Sequence, residues 1–184
     1  VPLKFEFSNV PAGYDPAELN ASISPATIRI AGAADTVDGI ESVNAGFINL
    51  ARVQLGKAET LKIQLSEGLV NVDDVQEATV TFDTSGYGEP RAITVSDIRV
   101  VNAPSGVDVK VITESINNVT LVGEAEELAA ISPSDVIAQV DASAQNITVK
   151  GSGQQQFSAQ IIVTGTKTVF ATGAYSVLCD ITVK

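Results

Sequence analysis

The sequence predicts a mainly β fold with a minor helical part, arranged as two tandem small β-domains. Each is expected to hold a mixed or antiparallel sheet or barrel and one short helix. Three observations carry this. Hydrophobic residues make up 45% of the 184 but aromatics only 5%, so the core is drawn from Val, Ile, Leu and Ala. Val, Ile and Thr fit a pleated, half-buried surface and lose rotamer freedom in a helix. Apolar residues recur at alternate positions in several short runs, the period of a strand with one buried face. Finally, one turn is written twice: NVPAGYD at Asn9 to Asp15 and NAPSGVD at Asn102 to Asp108, 93 residues apart, with Asn, Pro, Gly and Asp at matching positions.

In chain order, Val1, Leu3, Phe5 and Phe7 alternate with Pro2, Lys4, Glu6 and Ser8, which places four apolar side chains on one face of a strand. In the second copy Ile98 and Val100 stand where Phe5 and Phe7 stood, but Ile93 and Val95 upstream are out of phase with them. A one-residue slip would turn one pair outward, so a bulge or break is expected near Ser96 and Asp97. In the turns that follow, Pro11 and Pro104 fix φ and Gly13 and Gly106 supply a position free to take φ > 0.

At an offset of 91, TIRIAG ending at Gly32 matches VTLVG ending at Gly123, so Ile28 and Ile30 correspond to Val119 and Leu121 as inward positions. Next, Val37 with Ile40 and Leu128 with Ile131 are apolar pairs three apart, as on a single helical turn lying on a sheet. Glu124, Glu126 and Glu127 fall in that turn's N-terminal part, where the helix dipole favours carboxylates by about 0.3 to 1 kcal/mol each. Leu61, Ile63 and Leu65, and then Ala78, Val80 and Phe82, give two further strands of the first copy. Phe157, Ala159, Ile161 and Val163, and then Val177, Cys179, Ile181 and Val183, give those of the second. KGSGQQQ, Lys150 to Gln156, reads as an exposed hairpin tip. TSGYGEPR suits neither helix nor sheet interior and marks the boundary: domains at 1–85 and 91–184, with 86–90 as linker.

The residues that could carry chemistry return structural readings. The chain has no histidine, which removes the usual general base, the commonest metal ligand and every Ser-His-Asp or Cys-His arrangement. Asp73 with Asp74, and Glu126 with Glu127, match no calcium loop, and neighbours in a strand point to opposite faces, so both pairs are read as solvated surface. GTKT, Gly165 to Thr168, lacks the spacing of a phosphate loop and is read as a turn. Asn-x-Ser/Thr triplets begin at Asn20, Asn118 and Asn146; chance alone supplies roughly one or two, so they decide nothing. Cys179 is the single cysteine and shares the inward phase of Val177, Ile181 and Val183, so it is expected to be a buried thiol. A net charge of −11 repels phosphate backbones, and nucleic acid is not an expected partner. No catalytic, cofactor-binding or metal residue is assigned, and no enzyme is expected.

The order within each copy is an apolar strand, then Asn-x-Pro-x-Gly, then a strand closing in SPATIRIAG or INNVTLVG. A short helix ending in Ile and an extended GFINL or IAQVD follow. This order resembles the YbbR domain, a repeated extracytoplasmic module of bacterial proteins, over nearly the whole chain. The second copy departs in lacking a proline equivalent to Pro25, with Asn117 near that place. The resemblance implies a membrane-anchored protein, one upstream transmembrane helix followed by several such domains on the extracytoplasmic face of a Gram-positive bacterium. It also implies regulation of a membrane diadenylate cyclase, the enzyme that makes cyclic di-AMP, as partner. The chain opens in a strand without a methionine and is expected to be a piece of that longer protein. The alternative is a cell-envelope spacer or adhesion module that binds a wall polymer or surface protein.

Overall fold

The alternating runs become strands in a computed structural model that describes Val1–Lys184 in full, and these strands group into two units. The first comprises Val1–Val10 and Pro16–Ser85, the second Pro11–Asp15 and Gly86–Lys184. The mainly β fold read from composition and alternation is the fold observed.

The first unit holds β1 (Leu3–Ser8), β2 (Ala21–Ser24), β3 (Ile30–Ala31), the helical turn α1 (Ala34–Val37), β4 (Val43–Asn49), β5 (Glu59–Lys62), β6 (Val70–Asn71) and β7 (Glu77–Phe82). β1 lies parallel to β4, β2-β7-β5 form an antiparallel sheet, and β3 pairs antiparallel with β6. Leu3, Ile28, Val43, Ala45 and Ala78 are buried together at the centre. The β1–β4 ladder slips by one residue at Ala45 and Gly46. Gly46 takes φ +136°, and its N–H donates to its neighbour Asn44 Oδ1 at 2.8 Å. The extra residue is thus satisfied locally, as a bulge requires.

The second unit holds β8 (Arg91–Val95), β9 (Asp97–Val101), β10 (Val107–Val111), β11 (Ile116–Val122), α2 (Ala125–Ala130), β12 (Val136–Asp141), β13 (Ser152–Val163), β14 (Phe170–Thr172) and β15 (Tyr175–Val183). β10-β15-β13-β12-β9 form one five-stranded sheet, and β14-β11-β8 a second. The expected break falls at Ser96, where the chain leaves one sheet and joins the other. Changing sheets lets both pairs face inward: Ile93 and Val95 are buried, and Ile98 and Val100 pack on the same core. A second irregularity lies in β11, where an extra residue between Ile116 and Val119 is accommodated by Asn118 at φ +58°.

The repeat is carried into the backbone. Lys4 pairs with Asn44, and 93 residues on Asp97 pairs with Ile137, in the same parallel sense. The strands that follow end alike, in a side chain that accepts the N–H two residues on: Asn49 Oδ1 from Ala51 at 2.9 Å and Asp141 Oδ1 from Ser143 at 3.0 Å. In the paired turns, Tyr14 N–H donates to Pro11 O at 3.1 Å and Val107 N–H to Pro104 O at 3.0 Å. Gly13 and Gly106 take φ +82° and +78°, and Asn9 and Asn102 are also left-handed, at +50° and +53°. Asparagine is among the few residues that adopt this region readily, which explains why it recurs there.

Three expectations need correction. Val183 is 38% exposed rather than inward, because it ends β15 beyond the core. Only Lys150 and Gly151 turn at the hairpin tip; Ser152 to Gln156 already pair with β15. Their polarity has a different cause. Gln155 Oε1 accepts Thr148 N–H at 2.9 Å while its Nε2 donates to Asn146 O at 2.6 Å, so an irregular segment is held beside β13 by an amide side chain instead of a ladder. Ile40 lies past the end of α1, although its N–H still donates to Val37 O at 3.1 Å. At the chain boundary, Gly86 and Gly88 bond to Ala125 and Gly123, so this glycine-rich segment lies along the second unit.

Candidate functional site

Polar groups converge most densely in the second unit, where α2 meets the loop that precedes β14. Leu128 and Ile131, the apolar pair three apart, bury one face of α2 and its exit. Arg91 Nη1 donates to Leu128 O at 3.1 Å and to Ile131 O at 2.8 Å, supplying donors for carbonyls at the end of the helix. Burying Leu128 leaves Glu127 beside the loop, half-buried.

One oxygen of Glu127 holds that loop. Oε2 accepts from the Thr166 hydroxyl, from Thr168 Oγ1 at 2.8 Å and from the backbone N–H groups of Lys167 and Thr168, each at 3.2 Å. Thr166 Oγ1 in turn accepts from Val169 N–H at 3.2 Å. GTKT is therefore a turn whose amides and hydroxyls surround a carboxylate of the protein itself. Hydrogen bonds from Thr166 and then Thr168 favour the charged form and bring the Glu127 pKa down to about 2. Beside it lies a concavity of about 190 Å³ lined by Glu127, Ala130, Ile131, Asp135, Thr164, Gly165 and Thr166. Asp135 is also engaged. Its Oδ2 accepts Ser132 Oγ–H at 2.6 Å and Ser132 N–H at 2.8 Å, a capping box that holds its carboxyl below the usual range.

These bonds decide what the arrangement can do. A general base works best with a pKa near the operating pH, and a carboxylate held at about 2 by four protein donors lacks the basicity for that role. The cluster fixes a loop. Glu126, its sequence neighbour, is exposed and apart from it, so the two do not act as a pair.

Asp73 and Asp74 sit in a turn after β6 rather than in a strand, which corrects the opposite-face argument, and they still do not converge. Asp73 accepts Arg29 N–H at 2.7 Å and Arg29 Nε–H at 2.6 Å, bonds that lower its pKa. Asp74 is left-handed at φ +53° and accepts from Gln76 at 2.9 Å. Cys179 is fully buried, and burial raises its thiol pKa. Asn20, Asn118 and Asn146 are exposed. No group of three or more Cys, Asp or Glu side chains could hold a metal ion, and no helix is long and apolar enough to cross a membrane.

Sequence reasoning missed the Ser132–Asp135 box and the Asp141–Asn102 bond of 3.0 Å. The first had a readable signal, Ser-x-x-Asp ahead of an apolar run. The second joins residues 39 apart and had none.

A family model described as YbbR-like protein matches residues 1–96, a little over half of the chain. Among solved structures, a YbbR-like protein from Streptococcus pneumoniae TIGR4 is 18% identical, with 100% of this chain and 91% of that one covered and a TM-score of 0.33. No curated protein matches the chain.

Proposed function

Because the chain belongs to the YbbR-like protein family, we propose that it is a non-catalytic, extracytoplasmic module of a membrane-anchored bacterial protein. In this reading it regulates a membrane diadenylate cyclase, and so cyclic di-AMP synthesis, through protein–protein contact. The observation that carries the reading is the family match over residues 1–96. The acidic side chains support it, since Asp73 and Glu127, which the sequence marked, and Asp135, which it did not, each accept from protein donors. The second unit is read as a second module of the same kind, on the strength of the repeated parallel register.

Such a module acts on an enzyme only by binding one of its states more tightly than another, and a tenfold shift in a two-state equilibrium takes about 1.4 kcal/mol of differential affinity. The test is to delete Val1 to Lys184 from the parent protein in its host, keep the membrane anchor, and measure cellular cyclic di-AMP. A changed level is expected, and an unchanged one sinks the regulatory reading. Retention of the purified chain on isolated cell wall, with cyclic di-AMP unchanged, would favour the envelope spacer, which the acidic charge of −11 suits if the wall partner is cationic.

A further inference from the structure

We propose that Ala31, Val70 and Val72 of the first unit form a docking surface for the aromatic tip of a Pro-x-Gly-Tyr turn carried by another module of this fold.

The inference starts from a structural equivalence. Ile30 pairs with Asn71 and Ala31 with Val70 in the first unit, as Leu121 pairs with Ala171 and Val122 with Phe170 in the second. The next residue, Gly32 or Gly123, closes on the loop before the second strand in both. A Cβ there would lie 2.9 Å from Gly68 O in the first unit and 2.8 Å from Thr168 O in the second. Val70 therefore occupies the place of Phe170, and Ala31 that of Val122.

Their surroundings differ. In the second unit Val122 is 7% and Phe170 1% exposed, and the ring of Tyr14 lies over Phe170 with centroids 4.5 Å apart. Tyr14 is the last residue of the Pro11 to Tyr14 turn, directly after Gly13 at φ +82°. In the first unit Ala31 is exposed, Val70 is 63% exposed and Val72 48%. Val72 N–H donates to Arg29 O at 2.9 Å, so the pairing continues past β6 and Val70 and Val72 stand on one face of it. A single exposed valine is ordinary, but here a cross-strand pair and its neighbour are open on the face that the second unit covers with a tyrosine.

The second unit thus names the occupant: a ring with an apolar body and a polar tip, presented by a tight turn. On Ala31 and Val70 it would find smaller partners than Val122 and Phe170, so the contact is expected to be weak and exchangeable. This deepens the reading of the chain as an interaction module and rests on it. Cyclic di-AMP levels read that function and the titration below reads this surface, so each can fail alone.

The probe is a cyclic peptide presenting Pro-Ala-Gly-Tyr-Asp, titrated into the ¹⁵N-labelled full chain and followed by amide shifts. Saturable shifts at Ala31, Val70 and Val72 are expected, lost in Val70→Ser and absent with a peptide carrying Ala for Tyr. Val70→Phe, which restores the side chain of the second unit, should tighten binding at least threefold. Both substitutions are at an exposed position and should leave the fold intact, which the remaining amides report. No shift at these residues in either the natural chain or Val70→Phe overturns the proposal, as do shifts indifferent to Val70→Ser. Self-association that Val70→Ser abolishes but Tyr14→Ala leaves unchanged, seen by sedimentation, would make another surface of a second copy the occupant and overturn the turn assignment.

Discussion

The two units follow one order of elements, yet only the second joins its parallel pair and its antiparallel strands into one continuous sheet. In the first, β1-β4 and β2-β7-β5 remain separate; in the second, their counterparts run continuously as β9-β12-β13-β15-β10. Strand length makes the difference. β13 has twelve residues and pairs with β15 through Ser152 to Ala159 and with β12 through Gln160 to Val163, whereas β5 has four and pairs with β7 alone. The β4 bulge adds to it, because Gly46 N–H is turned to its own neighbour Asn44. The loops differ in the same direction. Glu127 ties down 166–168, while at the position 91 residues earlier the first unit has Thr36, and its loop closes through a Leu69 N–H to Ser66 O bond of 3.2 Å. A repeated order of elements therefore does not by itself repeat sheet continuity, which depends on strand length and on long-range anchors.

The contrast can be broken most severely at Phe157, 1% exposed at the centre of the continuous sheet. Phe157→Ala is expected to cost the second unit about 4 kcal/mol, from lost burial and the cavity left behind. All three tyrosines, Tyr14, Tyr87 and Tyr175, belong to that unit, so tyrosine fluorescence in a urea titration follows it selectively. First-unit amides holding to the original midpoint would show that the units unfold separately, and a common shift would show that they do not.

The next effect compares two equivalent glycines. A Cβ on Gly123 would meet two backbone atoms, Thr168 O and Val169 Cα, both at 2.8 Å, whereas on Gly32 it would meet one, Gly68 O at 2.9 Å, beside the side-chain ends of Leu69 and Val37 at 3.1 and 3.2 Å. Gly123→Ala should cost about 3 kcal/mol and Gly32→Ala about 2 kcal/mol, since two backbone contacts must yield in the first case and one in the second. Equal losses in denaturant titrations would mean that the two loops are equally rigid. Gly106→Val, at φ +78°, should follow with about 2 kcal/mol confined to the second unit, the strain of a β-branched residue in the left-handed region.

The smallest effect sharpens the comparison of loops. Glu127→Gln is expected to cost about 1 kcal/mol at neutral pH, because the charge-assisted bonds are replaced by weaker ones in a site open to solvent. The folded-state pKa is depressed from 4.5 to about 2, so the stabilisation is present above 4.5 and is lost as pH falls through 2. The gap between wild type and variant should shrink over that window. A gap independent of pH would show that the carboxylate charge does not hold the loop.

Much of this architecture was legible because it is local. Alternation placed the inward faces of β1, β7 and β15, a phase slip located the break at Ser96, and pairs three apart found both helical turns. The unread parts depend on partners far along the chain. Gln155 looked like loop composition until the backbone of Thr148 and Asn146 was beside it, and Glu127 looked like a dipole residue until Thr166, 39 residues on, supplied its donors. The recurring Asn of the paired turns was visible, but its left-handed φ is a property of the backbone that identity suggests without fixing.

Cys179 gives the second unit a built-in stopwatch. Its thiol is fully buried on β15, between β10 and β13, and the chain has no other cysteine. A thiol reagent reaches it only when that sheet opens, so the rate of labelling times the opening of one unit against a silent background.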